Sequence, residues 1–298
     1  MTPFLACDWG TTNLRAWRVG AGGEVEAEET FPCGAGRLEP GRAAAVFREQ
    51  VRPALAAEGL PALMCGMIGS TLGWAVAPYV ACPAGLEDLA TALTEVAPGV
   101  RIVPGARTAG AFGASDVMRG EETQILGWAA AHAPSGRHVI CHPGTHPKWA
   151  VVEDGRLVRF ATAMSGELFD LLRRHSVLKT DAPAEDEAAF DAGAAAAGDG
   201  GALAGRLFSV RARVVADGAD PESSASYLSG LLIGAEVAAL PAHVGAEGCG
   251  EVVLIGAPRL CRWYARALAA RGVRTTTVDG EDAALLGLIA LARTGATA

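Results

Sequence analysis

A carboxylate followed by a turn of glycine and hydroxyl residues stands near the start of the sequence. Asp8 comes directly after the apolar run 4–7. The turn that follows is made of Gly10, Thr11, Thr12 and Asn13. A carboxylate at the end of a buried strand can hold a metal ion, usually through the waters of that ion. The N–H groups and hydroxyls of a tight turn bind phosphate oxygens. The pattern predicts a phosphate-binding hairpin, and an ordinary polar hairpin capped by Asp8 is the alternative.

A second turn of this kind occurs in the middle of the chain. When the two segments are aligned, the pair Gly144-Thr145 falls on the Gly-Thr pair of the first turn. Both turns follow an apolar strand and precede a second strand, a glycine hairpin and a third strand. This repeated order of elements indicates two related halves of the chain. Two hairpins that face each other can clamp one polyphosphate between them.

The segment 116–124 is the other dense polar cluster, and it leads into an apolar helix. Its acidic residues are Asp116, Glu121 and Glu122. A carboxylate here can take the proton of a sugar hydroxyl that attacks a γ-phosphate. Acidic residues in the first turn of a helix also complement the helix dipole, so a purely structural role is the alternative. Arg119 and Arg107 are the candidates for binding a substrate carboxylate, because a guanidinium group suits a planar anion.

The composition narrows the class of protein. Half of the residues are hydrophobic, 19% are charged, and the mean hydropathy is +0.25, which excludes a disordered chain. The net charge of −8 argues against a general nucleic-acid binder. The sequence contains neither a Gly-Lys pair, which a P-loop requires, nor a GxGxxG segment after a strand. Seven cysteines without pairwise spacing favour reduced thiols in a cytoplasm. Because no charged leader with an apolar stretch and no run of about 18 apolar residues is recognisable, we expect a soluble, unprocessed protein.

Periodicity predicts an α/β protein with two three-stranded meanders. The predicted strands are 4–7, 14–19, 24–30, 139–141, 149–153, 157–162, 251–255 and 273–278. The predicted helices are 43–58, 223–240, 259–271 and 281–292. The Ala- and Gly-rich stretch 192–205 is expected to be a mobile connection.

Five segments together identify a family resemblance that covers nearly the whole chain. They are Asp8–Arg15, Cys65–Ser70, Asp116–Gln124, Pro143–Trp149 and Ser165–Phe169. The chain resembles the 2-dehydro-3-deoxygalactonokinases, bacterial sugar-acid kinases of the actin-like ATPase superfamily. This chain has Pro147 where the family usually has Ser, which removes a hydroxyl and an N–H group beside the second turn.

The resemblance implies a fold and an activity. The implied fold is α/β, with two ribonuclease-H-like domains, 1–110 and 111–298, each built on a mixed five-stranded sheet with flanking helices around a cleft. The implied activity is Mg²⁺- and ATP-dependent phosphorylation of the 6-hydroxyl of 2-dehydro-3-deoxy-D-galactonate in galactonate catabolism. The expected protein is cytoplasmic, binds neither nucleic acid nor membrane, and is compatible with a homo-oligomer. The alternatives are a kinase of the gluconate epimer, a non-catalytic ATPase switch, and an oxidoreductase, which the missing glycine pattern disfavours.

The resemblance also assigns residues to roles. The expected nucleotide- and phosphate-binding residues are Asp8, Gly10, Thr11, Thr12, Asn13, Arg15, Gly144, Thr145, His146, Lys148 and Gly256, and Asp8 is also the metal ligand. The expected substrate-binding residues are Gly69, Ser70, Arg107, Thr108, Arg119 and Glu167. Glu121 or Glu122 is preferred as the catalytic base, and Asp116 remains an alternative.

Overall fold

The computed structural model describes residues 1–133, 135–180 and 185–296, which contain fourteen strands and eleven α-helices. The strands are β1 Phe4–Trp9, β2 Leu14–Val19, β3 Val25–Phe31, β4 Ala62–Gly66, β5 Tyr79–Ala81, β6 Thr94–Ala97, β7 Val100–Ile102, β8 Gly105–Ala109, β9 Ser115–Met118, β10 Arg137–His142, β11 Lys148–Glu153, β12 Arg156–Thr162, β13 Glu251–Gly256 and β14 Arg274–Asp279. The helices are α1 Ala43–Val46, α2 Arg52–Ala54, α3 Leu86–Thr91, α4 Glu121–His132, α5 Ser165–His175, α6 Glu187–Ala196, α7 Leu203–Arg206, α8 Ser209–Val215, α9 Ser224–His243, α10 Pro258–Ala269 and α11 Gly280–Leu291.

The first sheet is built around β1. Its strand order is β3-β2-β1-β4-β7-β6, with β1 antiparallel to β2 and parallel to β4. Leu5, Cys7 and Trp9 alternate along β1 and are fully buried in one core cluster. Asp8 lies between two of them and points to the other face, as the period of two in a strand requires. The hydrophobic alternation of β1 therefore determines on which side of the sheet Asp8 lies.

The second sheet repeats the strand order of the first. Its order is β12-β11-β10-β13-β14, so in both sheets the third, second, first and fourth strands of the half follow one another in that sequence. A further strand lies beside the fourth, β7 in the first sheet and β14 in the second. This confirms the two related halves and the mixed α/β class. The first sheet has six strands rather than the expected five, because Thr94–Ala97 pairs antiparallel with β7 at its edge. A separate sheet has the order β5-β8-β9.

The chain divides into two compact units. The first contains Met1–His138, Val151–Phe160 and the residues from Asp279 on, and the second contains Val139–Ala150 and Ala161–Val278. The predicted domain boundary at residue 110 falls inside the first unit. Within that unit, α11 packs against α4 and against β1 and β4 of the sheet.

The prediction of a mobile connection over 192–205 is wrong for its first part. Ala192–Ala196 form the last turns of α6, which packs along α9. The contact is backbone to backbone, since a Cβ atom on Gly193 would lie 2.1 Å from the carbonyl oxygen of Tyr227. The small residues serve close helix packing rather than flexibility.

The stretch Pro221–His243 is long and apolar enough to cross a membrane by length and composition, but 67% of its most apolar window is buried, as in a core helix.

We expect Gly193→Ala and Gly205→Ala to have opposite effects on stability. A methyl group at 193 overlaps the backbone of α9 and should lower the free energy of unfolding by about 1–3 kcal/mol. A Cβ atom on Gly205 in α7 meets nothing within 4 Å, so alanine there should be neutral or stabilise the helix by up to about 1 kcal/mol. Urea denaturation measures both. Equal stability of the two variants would contradict the packing of α6 on α9.

Candidate active site

The first Gly-Thr turn is held from behind by a second glycine segment. The N–H groups of Gly34, Ala35 and Gly36 donate to the carbonyl oxygens of Thr12, Gly10 and Thr11 at 2.8–2.9 Å. Thr11, Thr12 and Asn13 are themselves exposed. A turn whose carbonyl oxygens are already occupied offers mainly its amide and hydroxyl donors to a further ligand. These donors are the groups that bind phosphate.

Gly34 and Gly36 support the first turn at positions that were not among the predicted site residues. A Cβ atom on Gly34 would lie 2.2 Å from the carbonyl carbon of Thr12, and one on Gly36 would lie 2.8 Å from Cγ2 of Thr11. Only glycine fits so close to the turn. The Gly-Ala-Gly segment is too short for a dinucleotide-binding motif, and nothing in the sequence says against which segment it packs.

Asp8 is half-buried at the end of β1 beside one arginine. It stands opposite Arg15 in the β1–β2 ladder, and Arg15 forms an ion pair with Glu281 at 2.5 Å. Burial raises the pKa of Asp8 from 3.8 to about 6. Arg15 and the thiol of Cys65, which donates to Oδ1 over 3.8 Å, act in the opposite direction. Among the described residues no group of three or more His, Cys, Asp or Glu side chains can hold a metal ion, so a cation at Asp8 needs water or ligand oxygens as further ligands.

Two glycines bring the start of α4 to the end of β4. Gly66 and Gly120 have φ angles of +89° and +107°, and a Cβ atom on Gly120 would lie 3.1 Å from the Cα of Gly66. One on Gly66 would lie 3.3 Å from Oδ1 of Asp8. This contact places Glu121 near enough to Asp8 for its charge to raise the pKa of Asp8. The structure therefore brings together two of the acidic residues singled out in the sequence.

The three candidate carboxylates have different surroundings. Glu122 is 1% exposed, and its two oxygens accept from Gly120 N at 2.7 Å and from the Thr123 hydroxyl at 2.9 Å. Burial, with the charge of Glu121 as a smaller cause, raises the pKa of Glu122 from 4.5 to about 8. Glu121 is partly exposed and accepts from Arg119 N at 3.0 Å. Asp116 lies on β9 of the three-stranded sheet and accepts from Val117 N at 2.7 Å.

Arg119 is a buried cation with an incomplete set of partners. Its side chain is stacked 4.3 Å from the ring centre of Tyr79 and donates from Nη2 to Ala77 O at 2.7 Å. Nε and Nη1 are buried and have no hydrogen-bond partner among the residues that the structure describes. Nη1 lies 2.9 Å from where a Cβ atom of Gly69 would be, so the predicted substrate residues Gly69 and Arg119 are neighbours. The residue after Gly69, Ser70, donates from its hydroxyl to Met67 O at 2.7 Å.

Arg107 and Thr108 lie apart from that pair on the three-stranded sheet. Arg107 is exposed on β8 between Ala81 and Val117 of the neighbouring strands. Thr108 is paired with Asp116 in the β8–β9 ladder. The structure thus separates the two arginines that the sequence offered for an anion, one on an exposed sheet face and one buried beside Gly69.

In the second unit, the turn at Gly144 and Thr145 is also held from its carbonyl side. The N–H group of Glu167 donates to Thr145 O at 3.0 Å, and a Cβ atom on Gly166 would lie 2.3 Å from Gly144 O. The first turn of α5 therefore supports this turn as the 34–36 segment supports the first one. Gly256, at the end of β13, contacts the residue before this turn: a Cβ atom on Gly256 would lie 3.2 Å from the carbonyl oxygen of Pro143.

A cavity of about 650 Å³ opens beside this turn, within the second unit. It is lined by Gly144, Thr145, Ser165, Gly166, Phe169, Arg173, Glu185, Phe190, Ala225, Ser226, Ser229, Leu232, Ile233, Ala257, Arg259, Leu260, Trp263 and Tyr264. Its size and its mixture of aromatic, aliphatic and polar walls are typical of a site for a small organic ligand.

The remaining predicted residues lie around the second turn. His146 and Glu167 pair with each other through Nε2 and Oε2 at 2.5 Å. Lys148 is buried and donates from Nζ to His146 O at 2.7 Å. Pro147 is buried, and its carbonyl accepts from Ala163 N at 2.9 Å. Pro147 directly precedes β11. Although it has no N–H group, the hydrogen bond that its carbonyl oxygen accepts from Ala163 fixes the backbone there.

We expect the buried Glu122 to make stability fall as pH rises. Between about pH 4.5 and 8 the unfolded chain has lost this proton and the folded chain keeps it. The free energy of unfolding should therefore decrease by up to about 1.4 kcal/mol per pH unit. Glu122→Gln does not titrate and should show a shallower decrease in urea denaturation at pH 5, 6.5 and 8. Glu49→Gln, at an exposed ion pair with Arg48, is the control and should follow the wild type. Parallel curves for wild type and Glu122→Gln would mean that Glu122 is ionised in the folded protein.

Distant solved structures share the fold. The activator of the 2-hydroxyisocaproyl-CoA dehydratase from Clostridium difficile, solved with bound ADPNP, superposes with a TM-score of 0.52 at 13% identity, over 98% of this chain and 95% of that one. Together with the repeated strand order, this confirms the expected α/β fold with two related halves.

Relatives at higher identity cover both chains almost completely. A 2-dehydro-3-deoxygalactonokinase of Escherichia coli (strain K12) is 37% identical over 97% of each chain. A probable 2-dehydro-3-deoxygalactonokinase of Rhizobium meliloti (strain 1021) is 38% identical over 97% of this chain and 96% of its own. A crystal structure of a Sinorhizobium meliloti protein provisionally assigned as the same kinase has a TM-score of 0.87 and 36% identity over 98% of both chains. The 2-keto-3-deoxy-galactonokinase family model matches residues 8–291. On this match, and in agreement with the resemblance found in its sequence, the chain belongs to the 2-keto-3-deoxy-galactonokinase family.

Proposed function

We propose that this chain transfers the γ-phosphoryl group of ATP to the 6-hydroxyl of 2-dehydro-3-deoxy-D-galactonate, as an enzyme of galactonate catabolism. The observation that carries the proposal is the neighbourhood of Asp8 and Glu121, one beside an exposed Gly-Thr-Thr turn and the other at the start of a helix. Phosphoryl transfer needs a phosphate cradle and a group that orients the attacking hydroxyl. The first unit contains candidates for both. The names of the relatives supply the substrate.

The residues at Asp8 fit a magnesium ion. Mg²⁺ in phosphoryl-transfer sites keeps several waters and binds through one or two carboxylates together with phosphate oxygens. A single half-buried carboxylate beside exposed threonines suits that arrangement. Bound there, Mg²⁺ would neutralise charge on the phosphates. Arg15 lies between Asp8 and Glu281, and its charge acts against the rise that burial causes in the pKa of Asp8.

Of the three candidate bases, Glu121 suits the role best. Glu122 is shielded from solvent, has both oxygens engaged and, with a pKa of about 8, holds its proton at neutral pH. Asp116 belongs to the three-stranded sheet. Glu121 is partly exposed and interacts with Asp8. In this proposal the oxygen of the sugar 6-hydroxyl bonds to the γ-phosphorus while the hydroxyl proton passes to Glu121. The bond between the γ-phosphorus and the oxygen that stays with ADP breaks.

Arg119 is proposed to receive the carboxylate of the sugar acid. Within the described part of the chain its Nε and Nη1 atoms have no hydrogen-bond partner, and each can donate a charge-assisted hydrogen bond to an oxygen of a carboxylate. Because both atoms are shielded from solvent, a ligand reaches them only when neighbouring groups such as Tyr79 move. The cost of a buried guanidinium with unmet donors would be recovered on binding.

The cavity of the second unit is proposed to hold the nucleotide. The Gly144-Thr145 turn lies in its wall, and Gly256 is next to Pro143 at the base of the same turn. His146 and Lys148 order the chain that leaves the turn.

The cysteines in the described residues are free, as in proteins of a reducing compartment, which supports a cytoplasmic location.

The first test is ADP release by the purified protein with Mg-ATP. We expect release only when a sugar acid is present, with a higher kcat/KM for 2-dehydro-3-deoxy-D-galactonate than for its D-gluconate epimer, and a phosphate ester at the 6-position of the product. A preference for the gluconate epimer would keep the kinase and replace the substrate. Equal ADP release without sugar would favour an ATPase switch. No release in any reaction would contradict the kinase.

We expect Glu121→Gln to lower kcat by about 10²–10⁴, the usual contribution of a general base, with the KM for Mg-ATP little changed. Asp116→Asn is the matched control, since it also replaces an acid by its amide, and its kcat should stay within about threefold of wild type. Steady-state assays at saturating sugar acid measure both. A large loss in Asp116→Asn with a small one in Glu121→Gln would transfer the role to Asp116.

A further inference from the structure

A buried carboxylate lies behind the wall of the cavity in the second unit, on a helix that is otherwise apolar there. Glu236 on α9 is 4% exposed. Its Oε1 accepts from Trp149 Nε1 at 2.8 Å, and its Oε2 accepts from Tyr264 Oη at 2.9 Å and from the hydroxyl of Ser165. The three donors belong to β11, α10 and α5. One carboxylate therefore joins four elements of the second unit.

The partner Ser165 is the point at which this network reaches the phosphate turn. Ser165 is the first residue of α5 and lines the cavity. The next two residues support the turn, because Gly166 packs on Gly144 O and Glu167 N donates to Thr145 O. Trp149 lies on β11, the strand that leaves the same turn. Glu236 thus holds both the segment behind the turn and the strand that leaves it.

A carboxylate in this position is costly, so its presence calls for a reason. Burial raises the pKa of Glu236, and its three hydrogen bonds and the charge of Lys148 act in the opposite direction. An apolar residue of similar size would pack on α9 at no such cost, as is often found when buried ionic groups are replaced. What an apolar residue does not provide is a directed link to α5 and β11.

We propose that Glu236 is a positioning residue of the nucleotide site, which fixes the start of α5 and thereby the Gly144-Thr145 turn for the phosphates of ATP. This rests on the proposed nucleotide function of the cavity. A turn that is ordered before binding does not have to be ordered at the expense of binding energy. Loss of the link should therefore weaken nucleotide binding and leave the sugar-acid groups of the first unit unaffected.

Two substitutions test the link from its two ends. Ser165→Ala removes the hydroxyl and leaves Trp149 and Tyr264 on the carboxylate. Glu236→Gln keeps the volume and an acceptor for Trp149 but presents an amide N–H₂ group where Ser165 donates. We expect each to raise the KM for Mg-ATP roughly tenfold, in line with the loss of one charge-assisted hydrogen bond, with the KM for sugar acid within about twofold of wild type. A direct ADP titration should show the same loss of affinity.

Ser176→Ala is the control on the same helix. Ser176 lies at the other end of α5, donates to Leu172 O at 2.6 Å and accepts from Leu178 N at 3.0 Å. Its loss should lower the thermal midpoint of unfolding and leave both KM values unchanged. A structural role alone would give that same pattern in the Ser165 and Glu236 variants.

The outcomes separate the inference from the proposed function. An unchanged KM for Mg-ATP in Ser165→Ala overturns the inference, also when Glu236→Gln does not fold. A rise in Ser165→Ala without one in folded Glu236→Gln overturns it too, because Ser165 then acts on the nucleotide directly. Equal rises in both KM values point to general loss of structure and overturn it. If the wild type itself binds no ADP and shows no sugar-dependent ADP release, the proposed function has failed, independently of the variants.

Discussion

The site depends on one constraint: N–H groups from another segment of the protein must bind the carbonyl oxygens of each Gly-Thr turn. In the first unit three successive N–H groups from Gly34 to Gly36 do this, and in the second unit the first turn of α5 does it. In both places a glycine makes the approach possible, Gly34 in one and Gly166 in the other. A peptide turn has as many acceptors as donors, so a turn intended for anions has to have its acceptors occupied by the protein. The repeat in the strand order thus extends to the way in which the turns are supported, although the supporting segments themselves differ.

The electrostatics of the first unit follow from how near its carboxylates stand to each other. Asp8, Glu121 and Glu122 lie around the contact of Gly66 with Gly120. Such carboxylates cannot all ionise at low cost, so the most buried one keeps its proton. Glu122 then serves as a neutral cap, while Asp8 stays near Arg15. Differences in burial, rather than in residue type, separate the roles of these acids.

Much of the fold could be predicted, because apolar runs that end at Gly-Thr turns mark both meanders. The sequence also indicated which segments carry the chemistry. It could not show that Glu121 and Glu122 differ in exposure, since that depends on how α4 meets Gly66. The three-stranded sheet escaped prediction because its strands are short and partly exposed, and Glu236 was missed because a lone acid in an apolar helix has no sequence pattern. The stretch 192–205 was misjudged for the opposite reason, as small residues suit both linkers and tight helix contacts.

The position of α11 in the sequence affects how the protein folds during its synthesis, because α11 belongs to the first unit but follows the second unit along the chain. This helix covers β1 and β4 and meets α4 with Gly287 against Thr123 and Gly127, yet it is made after the whole second unit. On the ribosome, the first unit therefore waits with that face of its sheet uncovered while residues 161–278 are synthesised and begin to fold. The first unit therefore cannot be completed until α11 has been synthesised. The nascent chain exposes apolar surface in the meantime, which is the condition under which chaperones bind.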